Sequence, residues 1–320
     1  MQVQNIPEKP TVALTREWAE MIKLEHTVFA LPFALSGLIL ATPNLPTWGT
    51  VFFTVLAFIG ARSAAMTLNR LIDARIDAIN PRTKDRSIPA GRIKPATAVL
   101  FTIASFALML AAASQLPLIC LQLSPIAVFW LSFYSFTKRF TWLCHIVLGI
   151  ALGGAALGGW VAASGTIQGP APWLLAFAVA TWVAGFDIIY ACQDAQFDSE
   201  NKLHSIPARF GLANALNISI GLHVFTVAAL VALGFFVQPA AGIFYFIGVA
   251  LVTAMLVYEH SLVKPSDLSK VNAAFFTTNG VVSIVTFLTI LLVSFLGREF
   301  KSFAASAPNL ISIGLFPSLN

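Results

Sequence analysis

Acidic residues are scarce in this sequence, and their spacing points to chemistry. The stretch 69–92, NRLIDARIDAINPRTKDRSIPAGR, holds three of the chain's 14 Asp and Glu and six of its 19 Lys and Arg. Asn69, Asp73 and Asp77 recur every four residues, so on a helix they share one face. A second segment, DIIYACQDAQFDSENKLHSIPARFG (187–211), repeats the pattern with Asp194 and Asp198 four apart. In both, a basic residue and Ser-Ile-Pro-Ala (87–90, 205–208) follow the carboxylate pair. Duplication of a helical unit is the simplest reading, and it would set two acidic faces opposite one another across a cavity. Four carboxylates on one cavity repel each other unless cations intervene. Mg²⁺ suits them, because it takes one or two carboxylates and completes its shell with water and phosphate oxygen. Two such ions could clamp a diphosphate leaving group.

Further polar residues fit the same chemistry. Tyr134 and Lys138 are four apart and, with Arg139, offer a hydroxyl and two cations to a phosphate; the alternative for Lys138 and Arg139 is topological anchoring. Arg62 lies seven residues before Asn69, two turns deeper on about the same face. A cation at that depth needs an anionic partner: either one of the aspartates or the carboxylate of a substrate. Asp187, two turns before Asp194, could be a metal ligand, a base or the partner of Arg62. In the segment 258–280, His260, Asp267, Asn272 and Asn279 are candidates for a cap over the site.

The elements that must position these residues are membrane spans. Of 320 residues, 58% are hydrophobic and 10% charged, with a mean hydropathy of +0.82; soluble domains carry roughly 25% charged residues. Apolar runs of about 20 residues suffice to cross a ~30 Å hydrocarbon core. The pattern predicts nine spans near 24–42, 48–68, 95–114, 116–136, 142–164, 172–192, 213–236, 239–258 and 274–296. They form one transmembrane domain between an N-terminal segment (1–23) and a C-terminal tail (297–320). The segment 16–26 is amphipathic enough to lie along the interface. The connections after spans two, four, six and eight hold seven, two, two and two Lys or Arg, and the other connections none. By the positive-inside rule the N-terminus and the acidic loops are cytoplasmic. The same rule accounts for the net charge of +5, so no nucleic-acid partner is implied. Cys120, Cys144 and Cys192 form no CxxC pair and imply neither disulfides nor zinc. No P-loop, GxSxG, HExxH or Rossmann fingerprint appears, which argues against ATP-driven transport and ordinary hydrolysis.

At NRLIDARID (69–77), YSFTK (134–138) and DIIYACQDAQFD (187–198), the sequence resembles the UbiA superfamily of intramembrane prenyltransferases. The flanking KLEHTVFALPFAL (23–35), KRFTWL (138–143) and VNAAFFTTNG (271–280) are similar to its 4-hydroxybenzoate polyprenyltransferase branch. The resemblance implies an all-α bundle of nine transmembrane helices around a central cavity, built as two related four-helix halves plus one helix. It implies that Asn69, Asp73, Asp77, Asp194 and Asp198 hold Mg²⁺ on a polyprenyl diphosphate, with Asp187 nearby. Tyr134, Lys138, Arg139 and Tyr190 would bind substrate, and Arg62 would meet the carboxylate of an aromatic acid acceptor. The five aspartates would be the catalytic set, in a multi-pass protein of the bacterial inner membrane engaged in quinone biosynthesis. One departure bears on the acceptor. Many members read Asn-Asp at the start of the first motif, whereas Arg70 follows Asn69 here. That resembles a sub-branch linked to futalosine-route menaquinone, whose acceptor is a dihydroxynaphthoate rather than 4-hydroxybenzoate. From another class, a Mg²⁺ or organic-cation transporter would also explain the carboxylates.

Overall fold

A computed structural model describes residues 17–22, 27–236 and 242–306. Among these the fold is all-α, with no β-sheet. The long helices are α1 (Thr27–Leu40), α2 (Trp48–Ile79), α3 (Pro95–Ala113), α4 (Leu118–Thr137), α5 (Cys144–Ser164), α6 (Ala171–Ala191), α7 (Ile206–Gly234), α8 (Gly242–Ser261) and α9 (Asn279–Ser306). Eight of them are long and apolar enough to cross a membrane. The exception is α1: its 14 residues span only about 21 Å at 1.5 Å per residue. Among the described residues the structure is therefore a multi-pass membrane fold with about eight spanning helices against the nine expected, and the first expected span, 24–42, begins outside the described residues.

Two elements differ from their expected extents in ways that matter for the site. Helix α2 does not end at 68 but runs through 32 residues to Ile79. At about 48 Å it is longer than the ~30 Å apolar core, which leaves room for its polar last turns outside the hydrocarbon. Arg62, Asn69, Asp73 and Asp77 thus ride on one rigid rod. Helix α6, by contrast, is not continuous with the second aspartate pair. It stops at Ala191, followed by a 3₁₀ turn (Cys192–Asp194) and a short helix (Ala195–Glu200). The spacing argument that put Asp187 and Asp194 on one uninterrupted face does not hold, because the 3₁₀ turn changes the rotation per residue. The two Ser-Ile-Pro-Ala copies also diverge. Ser205 caps α7, accepting from the Ala208 N–H, whereas Ser87 lies in a turn and donates to Glu17. Helix α7 then kinks at Gly211 (φ 78, ψ 164). Helix α9 continues to Ser306, so residues 297–306, expected in the tail, are helical; 307–320 lie outside the described residues.

Packing follows the small residues. In a bilayer, helices gain little from expelling lipid and associate where small residues let backbones approach. A Cβ on Gly149 would overlap the Ala180 carbonyl oxygen, and one on Gly159 the Ala34 carbonyl oxygen. These contacts seat α5 against α6 on one side and α1 on the other. Helix α2 packs along α3 and α4, α6 along α7, and α9 along α1 and α8. A run of rings, Phe33–Trp182–Phe186–Phe275–Tyr190, with centroids 4.2 to 5.3 Å apart, ties α1 and α6 to the π-helical turn Ala273–Thr278. Large apolar side chains on the outer faces, such as Phe129, Phe225 and Ile243, stay exposed, as expected where lipid completes their packing. Residues 17–22, the described part of the amphipathic segment 16–26, pack at the mouth of the bundle. There Trp18 stacks on Phe101 at 4.0 Å, Met21 packs with Ile88 and Ile93, and Glu17 pairs with Arg92 at 2.8 Å.

Candidate active site

A cavity of about 1350 Å³ opens within the bundle, lined by α1 to α6, the loop after α2 and the π-helical turn. Arg62, Asn69, Arg70, Tyr134, Asp187 and Tyr190 line its polar end. Along the remainder Met109, Leu116, Leu123 and Ile126 face it, beside Ala151, Gly154 and Gly158 of α5. The cavity thus joins a charged end to a long apolar remainder.

Around the polar end each aspartate of the two DxxxD pairs is held by a cation. Asp73 accepts from Arg139 Nη2 at 2.9 Å and from Asn69 Nδ2 at 3.0 Å. Asp77, 5% exposed, takes both oxygens to Arg86 Nη1 at 2.7 and 2.8 Å. Asp198, fully buried, pairs with Lys138 Nζ at 2.7 Å. Asp194 is gripped by Arg82 through both oxygens: Nε donates at 2.9 Å, Nη2 binds the second oxygen, and Asn80 Nδ2 adds a bond at 3.3 Å. Arg82 also donates to the Tyr190 hydroxyl at 3.1 Å and lies 5.3 Å from the centre of its ring. Burial works against the charge on Lys138 and Arg82, but the neighbouring Asp198 and Asp194 outweigh it and hold both above their ordinary pKa values.

Asp187 is different. Of the five aspartates it is the one that lines the cavity, with its side chain 25% exposed. Its described partner is not an Arg or Lys but His145, whose Nδ1 lies 2.7 Å from Oδ2.

The spacing argument therefore brings the expected residues to one end of the bundle, with Arg62, Asn69, Tyr134, Asp187 and Tyr190 on the cavity wall. Asp73, Asp77, Asp194, Asp198, Lys138 and Arg139 form the ion-paired layer beside it. Of the four cap candidates, Asn272 lines the cavity. Asn279 is buried against Glu259 at 3.0 Å, and His260 bonds His223 at 2.9 Å. Asp267 is exposed in a turn, where the Ser269 hydroxyl and N–H hold its carboxyl below the usual range. Sequence reasoning missed Asn80, Arg82, Arg86 and His145. The loop was legible as basic, but which cation would meet which carboxylate depends on how it folds back over α6. His145 did leave a signal, since with Gly149 and Gly153 it forms an i, i+4, i+8 row on the α5 face turned to α6.

Among the described residues no three His, Cys, Asp or Glu side chains converge as a ready metal site. The donor set is nevertheless that of a hard cation: carboxylates and an amide oxygen, in two groups beside one cavity end. Mg²⁺ needs only one or two carboxylates if phosphate and water complete its shell. The cluster is also balanced, four carboxylates against four cations. Adding a divalent metal together with a diphosphate would let the carboxylates turn to the metal and the cations to phosphate without stranding a charge. The residues fit.

Residues 30–281 match the family model described as "UbiA prenyltransferase family". The chain is 28% identical over 281 residues to a 4-hydroxybenzoate octaprenyltransferase of Vibrio campbellii (strain ATCC BAA-1116), covering 86% of this chain and 94% of the relative. It is similar to the apo structure of a UbiA homolog from Aeropyrum pernix K1, at 33% identity and a TM-score of 0.75, over 84% of this chain and 98% of that one. A UbiA homolog from Archaeoglobus fulgidus bound to GPP and Mg²⁺ shares the fold, at 21% identity and a TM-score of 0.72, over 87% and 99% of the two chains.

Proposed function

The chain belongs to the UbiA prenyltransferase family, and from that premise we propose that it transfers a polyprenyl group from polyprenyl diphosphate to an aromatic acid, 4-hydroxybenzoate first, in quinone biosynthesis. One observation carries the reading. A single cavity couples a polar end, lined by Arg62, Arg70, Arg82 and Asp187 with the ion-paired aspartates beside it, to an apolar remainder, which are the surroundings a diphosphate and its hydrocarbon chain require. A cation transporter would need polar lining throughout, and the far part of this cavity is largely apolar.

Asn69, Asp73, Asp77, Asp194 and Asp198 would hold Mg²⁺, which when bound neutralises the departing diphosphate. Lys138, Arg139, Tyr134, Tyr190 and Arg82 offer donors to the phosphate oxygens. Arg62, deeper on α2, takes the carboxylate of the acceptor and so turns its ring toward the allylic carbon. The allylic C–O bond breaks with its electron pair leaving on diphosphate, and the ring carbon ortho to the phenol hydroxyl forms the new C–C bond. The C–H pair then returns to the ring as the proton passes to Asp187, the one of the five motif aspartates on the cavity wall. Apolar walls exclude water that would otherwise capture the carbocation-like carbon. The finer architecture in this reading is nine helices in two related halves plus one. The active-site loops and the N-terminus face the cytoplasm at the inner membrane of a bacterium.

Arg70, which lines the cavity beside Asn69, favours a second acceptor, a dihydroxynaphthoate, in futalosine-route menaquinone synthesis. Purified membranes given Mg²⁺, a prenyl diphosphate and each acceptor in turn test both. Transfer should occur with one acceptor, stop with EDTA, and be abolished in Asp73→Ala and Asp194→Ala. Full activity in either variant would falsify the proposed site.

A further inference from the structure

The imidazole of His145 meets a carboxylate and a helix end at once, and its chemistry fixes what each of these contacts is. It sits in the first turn of α5 and is only 3% exposed. Its Nδ1 is 2.7 Å from Asp187 Oδ2, and its Nε2 lies 3.3 Å from the backbone nitrogen of Ile206. A backbone N–H can only donate, so Nε2 must accept and carries no proton. The ring proton is then on Nδ1, pointing at Asp187. Ile206 is the first residue of α7, where backbone N–H groups lack intrahelical partners. The imidazole therefore satisfies a helix-end donor with one nitrogen and orients a carboxylate with the other.

The helices are built to allow this. His145, Gly149 and Gly153 form one row on α5, and a Cβ at either glycine would strike the α6 backbone at Ala180 or Ala176. The absence of side chains there draws α5 close enough for His145 to reach Asp187 at the other end of the contact. Further ties hold the same corner. The His204 N–H donates to the Lys138 carbonyl at 2.8 Å, and the Cys144 thiol to the His204 carbonyl at 3.5 Å.

We propose that His145 is the positioning residue for Asp187. Locked as the neutral Nδ1–H tautomer, it holds the Oδ2 of Asp187 so that the other oxygen faces the cavity to accept the ring proton of the acceptor. His145 takes no proton itself, since protonating Nε2 would break the bond from Ile206. Its Nδ1–H stays on Oδ2 while Oδ1 is protonated, so the carboxylate is oriented before and after transfer. This rests on the prenyl-transfer reading above.

Two substitutions separate the two contacts. In His145→Asn the amide nitrogen stands near the position of Nδ1 and keeps the bond to Asp187, while the bond from Ile206 is lost. In His145→Gln the amide oxygen stands near Nε2, which keeps the bond from Ile206 and loses the one to Asp187. For His145→Gln we expect a thermal midpoint close to the parent, a kcat lowered about tenfold or more and a donor KM within about twofold, the order of loss seen when the outer partner of a metal-ligating side chain is removed, ~10–100-fold. For His145→Asn we expect a lower midpoint but a kcat within about threefold. A kcat in His145→Gln within twofold of the parent, or equal losses of kcat in both variants, would overturn the proposal. If neither variant folds, ¹⁵N-histidine spectra of the parent protein decide. A neutral Nδ1–H ring at position 145 near pH 7 supports the assignment, and an imidazolium there overturns it. If the parent protein prenylates no aromatic acid, the reading of its function fails, and the ¹⁵N spectrum still decides how His145 is held.

Discussion

Arg82 is the cation whose removal should tell most about the polar end. It grips both oxygens of Asp194 and donates to Tyr190, joining the loop after α2 to the end of α6. Its side chain is 32% exposed and that of Asp194 10%, so the pair is neither a surface bridge nor a dry one. Hydrogen bonds to charged groups contribute roughly 1.5–3 kcal/mol each in buried settings, and exposed ion pairs about 0–1 kcal/mol. Arg82→Gln should therefore cost about 1–2 kcal/mol. Arg82→Lys should recover less than half, because an ammonium cannot span two carboxylate oxygens as the guanidinium fork does. The assay is reversible unfolding in detergent of the parent, Arg82→Gln, Asp194→Asn and the double variant, taken as a cycle. A coupling of about 1 kcal/mol or more is expected. Additive losses, with coupling under about 0.5 kcal/mol, would show that this geometry carries no energy and would refute the reasoning. With the prenyl-transfer assay, Arg82→Gln should also raise KM for the diphosphate donor more than it lowers kcat.

Other perturbations test neighbouring parts of the structure. Lys138 is held above its ordinary pKa, with burial opposing and Asp198 more than offsetting it. The stability it contributes is fully present below the unfolded lysine value of ~10.4 and is lost as pH rises through the higher folded value. The difference in thermal midpoint between the parent and Lys138→Gln should thus stay flat from about pH 6 to 9 and shrink above about 10.4; a difference that vanished by pH 8 would contradict the pairing. Gly149→Val should cost roughly 1–3 kcal/mol from overpacking and lower prenyl transfer as α5 is pushed off α6, whereas Gly154→Ala, where a Cβ meets nothing within 4 Å, should unfold as the parent does. Removing Mg²⁺ with EDTA should stop transfer reversibly, and recovery with Ca²⁺ as complete as with Mg²⁺ would argue against the site described.

The sequence by itself determined that the chain crosses a membrane, where most spans lie, and which end of the bundle is charged. These follow from local physics. An apolar run of about 20 residues can cross hydrocarbon only as a helix that satisfies its own backbone, and four-residue spacing puts Asn69, Asp73 and Asp77 on one face whatever surrounds them. The same locality explains the misses. The length of α2 past residue 68 was obscured by Arg70 and Arg75, which a helix longer than the hydrocarbon core tolerates in its last turns. The 3₁₀ turn at Cys192–Asp194 has no mark in the residue pattern. Only the tertiary structure decided which cation meets which carboxylate, since Arg82 and Asp194, or His145 and Asp187, are brought together by loop folding and by glycine-mediated helix approach. Composition placed charge at one end of the bundle. The close packing of α5 on α6 and the fold of the loop after α2 set Asp187 on the cavity wall and the other four aspartates in the paired layer beside it.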